Sequence, residues 1–177
     1  MKKVLGILMS VLFLVSLVGC SMGSKSENID ISELKKNTGD MFAATYAFGD
    51  YTSEEKYVNT ATFVFHYDGT FDIQKEYNDN QGTYFATGTL SDEDYVTLYV
   101  LSRNALKKND FGNYQIDGFE GGLWRFTYYE PGNSSPKELF YGGFGGGNVT
   151  LDFYRNLMNS YLDTLEYVDA NGEAEVK

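Results

Sequence analysis

Thr60-Ala61-Thr62-Phe63-Val64-Phe65-His66-Tyr67-Asp68-Gly69-Thr70-Phe71-Asp72-Ile73-Gln74-Lys75-Glu76-Tyr77 is the stretch whose reading decides the fold. Thr60 to Tyr67 and Thr70 to Tyr77 read as two strands, and Asp68-Gly69 between them is a strong short-range hairpin signal. The register follows from which side chains must share a face. A two-residue turn pairs Phe65 with Asp72 and Phe63 with Gln74, mixing apolar and polar groups. A three-residue turn, with Gly69 in the left-handed region, pairs Phe65 with Phe71 and Phe63 with Ile73. It also sets Val64 and His66 opposite Asp72 and Gln74. Only the second choice leaves one clean apolar face, and a slip of one residue would exchange the faces. The bulged turn is the expected one.

Working outward, Phe42 to Phe48 reads as a strand before the hairpin, and Thr83 to Thr89 as one after it, across the turn Asn78 to Gly82. Leu90-Ser91-Asp92-Glu93-Asp94 then opens a helix. Ser91 is placed to accept the Asp94 backbone N–H while the Asp94 carboxylate reaches back, as in a capping box. Three acids in the first turn and Lys107-Lys108 at the end both suit the helix dipole. Tyr95, Leu98, Leu101 (or Ser102) and Ala105 form its apolar face. Residues 109–122 read as a loop. Gly122 to Glu130 is a strand, Pro131 to Pro136 a turn, and Lys137 to Gly142 a returning strand. A glycine-rich loop, Gly142 to Asn148, leads to a helix from about Thr150 to Tyr167. Its face is Leu151, Tyr154, Leu157, Met158, Tyr161 and Leu165. The polar tail 169–177 is expected to fray.

The fold class that follows is α+β. It is an antiparallel sheet of about six strands with two amphipathic helices on one face, forming a single domain over residues 40–168. Residues 60–106 and 122–166 share the order hairpin, glycine-bearing turn, helix, which suggests a degenerate ββα duplication.

The N-terminus carries a different kind of information. Lys2 and Lys3 precede an apolar run from Val4 to Val18, and Gly19 is small, which are the three parts of a secretory signal peptide. The run falls short of the ~20 apolar residues that span a bilayer. Leu17-Val18-Gly19-Cys20 resembles the lipobox of bacterial lipoproteins. That resemblance implies a diacylglyceryl group on the Cys20 sulfur, cleavage before Cys20, and acylation of the freed amine. Two or more chains anchor stably where one holds only marginally. The alternative is an ordinary signal peptide with an incidental cysteine. On the lipoprotein reading, 1–19 is the leader and residues 20–39 are a flexible tether. Within it, Asp30 to Lys36 offers one helical turn capped by Ser32, with too few apolar positions to dock firmly. The expected address is the outer, extracytoplasmic side of the cell membrane, with the lipid on Cys20 as the membrane partner.

Composition narrows the function classes. Removal of 1–19 leaves 158 of the 177 residues, enough for one core, and 42% hydrophobic against 22% charged residues means a folded chain. Net charge is −11, and loss of Lys2 and Lys3 takes it to −13. So acidic a body repels phosphate backbones, which argues against nucleic acid as partner. Cys20 is the single cysteine, so once it is lipidated the folded part has no disulfide, thiol chemistry or cysteine metal site.

Candidate sites are few, and no cofactor or metal is expected. His66 is the only histidine and lies on the polar face of the hairpin, which favours a surface role over catalysis. Gly142-Gly143-Phe144-Gly145-Gly146-Gly147-Asn148 stands where phosphate loops occur, but lacks the following Lys-Ser/Thr pair and the dinucleotide spacing. A connector is the better reading. The turns 78–82 and 117–120 hold oxygen ligands without the calcium-loop order.

The strand with Trp124, Arg125, Tyr128 and Tyr129 has the residue types of binding hot spots, suited to a peptide, a glycan or an envelope protein. The period of two favours instead Trp124, Phe126 and Tyr128 inward and Arg125 and Thr127 outward. A non-catalytic binding domain is the expected function. A hydrolase of envelope polymers would need His66, or Asp72 with Glu76, brought to the aromatic row. An inhibitor or assembly factor would dock through loops 109–122 and 131–136.

Overall fold

The hairpin closes in the bulged register. In the computed structural model, which describes residues 29–48, 57–78, 82–108, 111, 115–116, 122–144 and 147–175, Phe65 pairs with Phe71, Phe63 with Ile73 and Val64 with Asp72. Gly69 has φ 90°, a conformation that costs a residue with a Cβ. Asp68 accepts from the Thr70 backbone N–H at 2.9 Å and from its hydroxyl at 2.6 Å. These bonds hold its carboxyl below the usual range. One detail differs from expectation: Gln74 faces Thr62, while His66 reaches Asp72 along a diagonal.

The strands are β1 (Asp40–Ala47), β2 (Val58–His66), β3 (Thr70–Tyr77), β4 (Thr83–Thr89), β5 (Gln115–Ile116), β6 (Leu123–Tyr128) and β7 (Lys137–Phe144). They form one sheet in the order β4-β3-β2-β1-β6-β7-β5, with every neighbouring pair antiparallel. The six long strands are those the alternation predicts. The two-residue β5 is an addition from the expected loop, since short edge pairing through backbone groups needs no side-chain pattern. Antiparallel pairing throughout means that a two-fold axis between β1 and β2 would exchange β3-β4 with β6-β7. The hairpin-then-helix order therefore recurs at both ends of the sheet.

The described residues hold three helices: α1 (Ile31–Leu34), α2 (Asp92–Lys108) and α3 (Val149–Thr164). The longer two cover one sheet face. On α2, Tyr95, Leu98, Tyr99, Ser102 and Ala105 are buried. Of the two positions open in the periodicity, Ser102 rather than Leu101 faces the core. Its hydroxyl meets that of Tyr154 at 2.8 Å, so both polar atoms are satisfied in the interior. Ser91 accepts the Asp94 N–H at 3.0 Å, but the Asp94 carboxylate accepts from the Ser91 hydroxyl and not from the backbone. On α3, Leu151, Tyr154, Leu157 and Met158 are buried, and Asn148 caps the start through the N–H groups of Thr150 and Leu151. Rings fill the space between the layers. Tyr154 lies 4.7 Å from Phe42 and 4.9 Å from Phe126, and Tyr161 lies 4.8 Å from Phe71.

Both flanks of the domain extend further than the sequence suggests, and contacts join Ile31–Lys177 into one unit. The second half of the expected tether is docked. Ser32 sits inside α1 rather than capping it. Lys35 lies over the Gly69 turn, pairs with Asp92 at 2.9 Å, and stands 5.1 Å from the Tyr95 ring. A long charged side chain thus takes part in the docking.

The tail is corrected as well. The helix ends at Thr164, with Leu165 extended. Tyr167 then opens a small ribbon in which Val168 bridges Phe85 of β4 on one side and Ala174 on the other. Residues 169–175 are therefore paired rather than frayed. The leader, Cys20 and the tether up to 28 lie outside the described residues.

Candidate functional site

Pairing across the sheet sorts the strand residues into rows. One row on the helix side runs Ala86, Ile73, Phe63, Ala44, Phe126, Phe140 from β4 to β7. The row beside it on the opposite side runs Phe85, Gln74, Thr62, Thr45, Arg125, Tyr141. The first is buried throughout. In the second, no residue is fully buried, so among the described residues nothing covers that face. It is a threonine-rich platform with an aromatic ring at each end.

Arg125 and Tyr141 are the chemically distinct part of this platform. The Arg125 guanidinium carbon lies 4.8 Å from the Tyr141 ring centre, and its Nε lies 3.3 Å from Glu138 Oε2. The Arg125 side chain is 53% exposed and Tyr141 46%. A guanidinium stacked on a phenol ring and steered by a carboxylate presents planar donors beside an apolar surface, a combination suited to polar ligands and protein partners.

The four residues singled out in the β6 segment do not act together. Trp124 is 6% exposed and Tyr128 1%. Trp124 packs 5.5 Å from Phe126 and 4.8 Å from Tyr46. Tyr128 lies under α2, where burial pushes its hydroxyl up to about 12. Tyr129 is half-buried beyond the strand, and its N–H donates to the Met41 carbonyl. Of the four, Arg125 is the one that is mostly exposed. The period of two places the aromatics inward, so a hot-spot composition is here a core composition. Tyr141 and Phe85, which end the open row, and Glu138, which pairs with Arg125, had no signal of their own. Leu139 is an extra residue in β7 between the pairs Phe126–Phe140 and Thr127–Glu138, and such a bulge hides which β7 residue faces Arg125.

His66 is better placed than a lone surface histidine. Its Nδ1 lies 3.0 Å from Asp40 Oδ1 and its Nε2 3.0 Å from Asp72 Oδ2. Both ring nitrogens face carboxylates, and neither of these contacts is with a hydroxyl that could serve as nucleophile. Asp72 and Glu76 are four residues apart on β3, roughly 13 Å by strand rise, and Glu76 accepts from Gln74. Asp72 and Glu76 alternate along β3 with the buried Phe71, Ile73 and Lys75, so both acids are on the sheet face opposite the buried Trp124.

The glycine-rich loop serves the fold. Gly142 and Gly143 belong to β7, opposite Trp124 and Ile116, and Asn148 is the α3 cap; 145–146 lie outside the described residues. So do 79–81 and 117–121, the greater part of the two acidic turns, and most of the docking loop 109–122. The turn 131–136 is exposed. Among the described residues no group of three His, Cys, Asp or Glu is placed to hold a metal, and no helix is long and apolar enough to cross a membrane. No family model, curated protein or solved structure matches the chain.

Proposed function

We propose that the protein is a lipoprotein held on the outer side of the cell membrane by acyl chains on Cys20, whose domain binds an envelope protein, a peptide or a glycan without chemistry of its own. One observation supports the binding reading above the others. Both long helices stack on one face, and the opposite face carries Arg125 and Tyr141 in contact with each other and with solvent. The hydrolase alternative has no support of this kind, because His66 is held between two carboxylates.

Two experiments test the two halves of the proposal. Metabolic labelling with a fatty acid should mark the wild-type protein and not Cys20→Ser, which should also leave the membrane fraction. An unlabelled wild type, or unchanged partitioning of the variant, removes the anchor. For binding, crosslinking in envelope extract should capture a partner with the wild type and lose it with Arg125→Ala/Tyr141→Ala. Equal capture by both removes the open face from the proposal. Trp124→Ala is unsuitable as a binding probe, since that ring is part of the core.

A further inference from the structure

Lys75 is a charged residue on the wrong face. It stands in the helix-side row Tyr84, Lys75, Ala61, Tyr46, Trp124, Gly142, where every other occupant is aromatic or small. Its side chain is 2% exposed, and Nζ lies 2.8 Å from Glu175 Oε2, itself on a side chain 2% exposed. Nζ also lies 3.8 Å from the centre of the Tyr167 ring and 5.5 Å from that of Tyr77. The Tyr77 hydroxyl donates to the other Glu175 oxygen. Both the carboxylate and the Tyr167 ring come from the ribbon after α3. Beyond this ion pair, the ribbon's backbone holds β4 by two hydrogen bonds, Phe85 N–H to the Val168 carbonyl at 2.8 Å and Val168 N–H to the Phe85 carbonyl at 3.0 Å.

We propose that the β4 edge and the Lys75 socket form a binding site for an extended acidic peptide segment, and that residues 167–175 occupy it as the chain's own competitor. Three features argue for an occupant that leaves. A purely structural plug at this corner would be at least as stable with apolar residues at both positions, because burying two charges removes their hydration. An ion pair, unlike an apolar plug, regains that hydration on opening, so the gap between closed and open is smaller. The ribbon joins the sheet at β4, which is an edge strand, and Leu165 at its start is already extended, so opening leaves the strand pairs of the main sheet in place.

The seated ribbon defines what the site accepts. A strand pairs with Phe85, an aromatic ring at the preceding position lies over the Lys75 ammonium, and a carboxylate reaches Nζ. This is strand addition to a sheet edge, with one charged pocket supplying selectivity. Charge complementarity selects an acidic segment, since Lys75 is the one buried cation among the described residues.

The test uses the full chain and a labelled synthetic peptide of residues 166–177. Glu175→Gln weakens the internal competitor, so this variant should bind the peptide at least about tenfold more tightly than the wild type. The peptide carrying the same Glu175→Gln change should bind neither protein. Equal binding to wild type and variant, or undiminished binding of the altered peptide, overturns the proposal. So does concentration-dependent dimerisation of the variant without peptide, which would assign the edge to a second copy. A readout on the wild type alone stands whatever the variant does. Amide exchange at Val168 should be at least about tenfold faster than at Phe63 or Phe65, as local opening requires. Exchange of Val168 at the rate of the core strands overturns the proposal as well.

Discussion

The two faces of this sheet are built from the same strands and share almost no chemistry. On the helix side, the row through Phe63 and Phe126 is apolar and dry; one residue along each strand, the row through Thr62 and Arg125 is polar and open. The helix side holds rings in contact at 4.7 to 6.4 Å, and the open row through Thr62 holds threonines, Gln74 and Arg125 between Phe85 and Tyr141 at its ends. Aromatic content is thus a measure of core here, because a chain without disulfides in its folded part has to draw its stability from packing. The face with few large side chains is the one with surface left to offer a partner.

The largest expected effect that would sharpen this contrast is alkaline unfolding. Burial raises the hydroxyls of Tyr95, Tyr128 and Tyr161 to about 12, and those of Tyr67 and Tyr154 further. These folded values lie above the ordinary value of 10.0 that the unfolded chain regains. Stability from the neutral hydroxyls is therefore whole below about pH 10 and is lost as pH rises toward about 12. Beyond the tyrosinate of exposed rings such as Tyr141, further tyrosinate absorbance and loss of near-ultraviolet dichroism should rise together; the full tyrosinate signal forming well before unfolding would mean that these hydroxyls are not enclosed.

Trp124→Ala should cost about 3–5 kcal/mol in denaturant unfolding, and a loss below about 1 kcal/mol would break the division between faces. Gly88→Ala comes next. A Cβ at Gly88 would stand 2.5 Å from the Phe71 ring, so overpacking should cost about 1–3 kcal/mol, although this strand lies at the sheet edge. The smallest effect belongs to the open side. Arg125→Ala/Tyr141→Ala should leave stability within about 0.5 kcal/mol, measured by the same unfolding curves. A larger loss would show that this surface serves the fold instead of a ligand.

Much of the architecture was legible because the hairpin pattern admits one register. Phe63, Phe65, Phe71 and Ile73 can share a face only across a three-residue turn, and the Tyr95–Ala105 and Leu151–Met158 spacings leave one stripe per helix. The candidate site was less legible. Trp124 and Tyr128 have side chains that serve a core and an interface equally well, and composition does not separate the two. Arg125 was visible as an outward residue, but Tyr141 as its partner was not, since Leu139 shifts the β7 register.

The sequence by itself determined the alternation, the helix stripes, the acidity and the Leu17–Cys20 motif, because each is a property of neighbours along the chain. Only the tertiary structure decided that Asp40 and Asp72 take both nitrogens of His66, that Lys35 fastens the chain entering β1, and that Glu175 neutralises Lys75 inside the domain. Apart from His66–Asp72, which spans six residues across the hairpin, these contacts join residues far apart in sequence. A charge's partner is set by distance and by the exclusion of water, and neither exists until the sheet has closed.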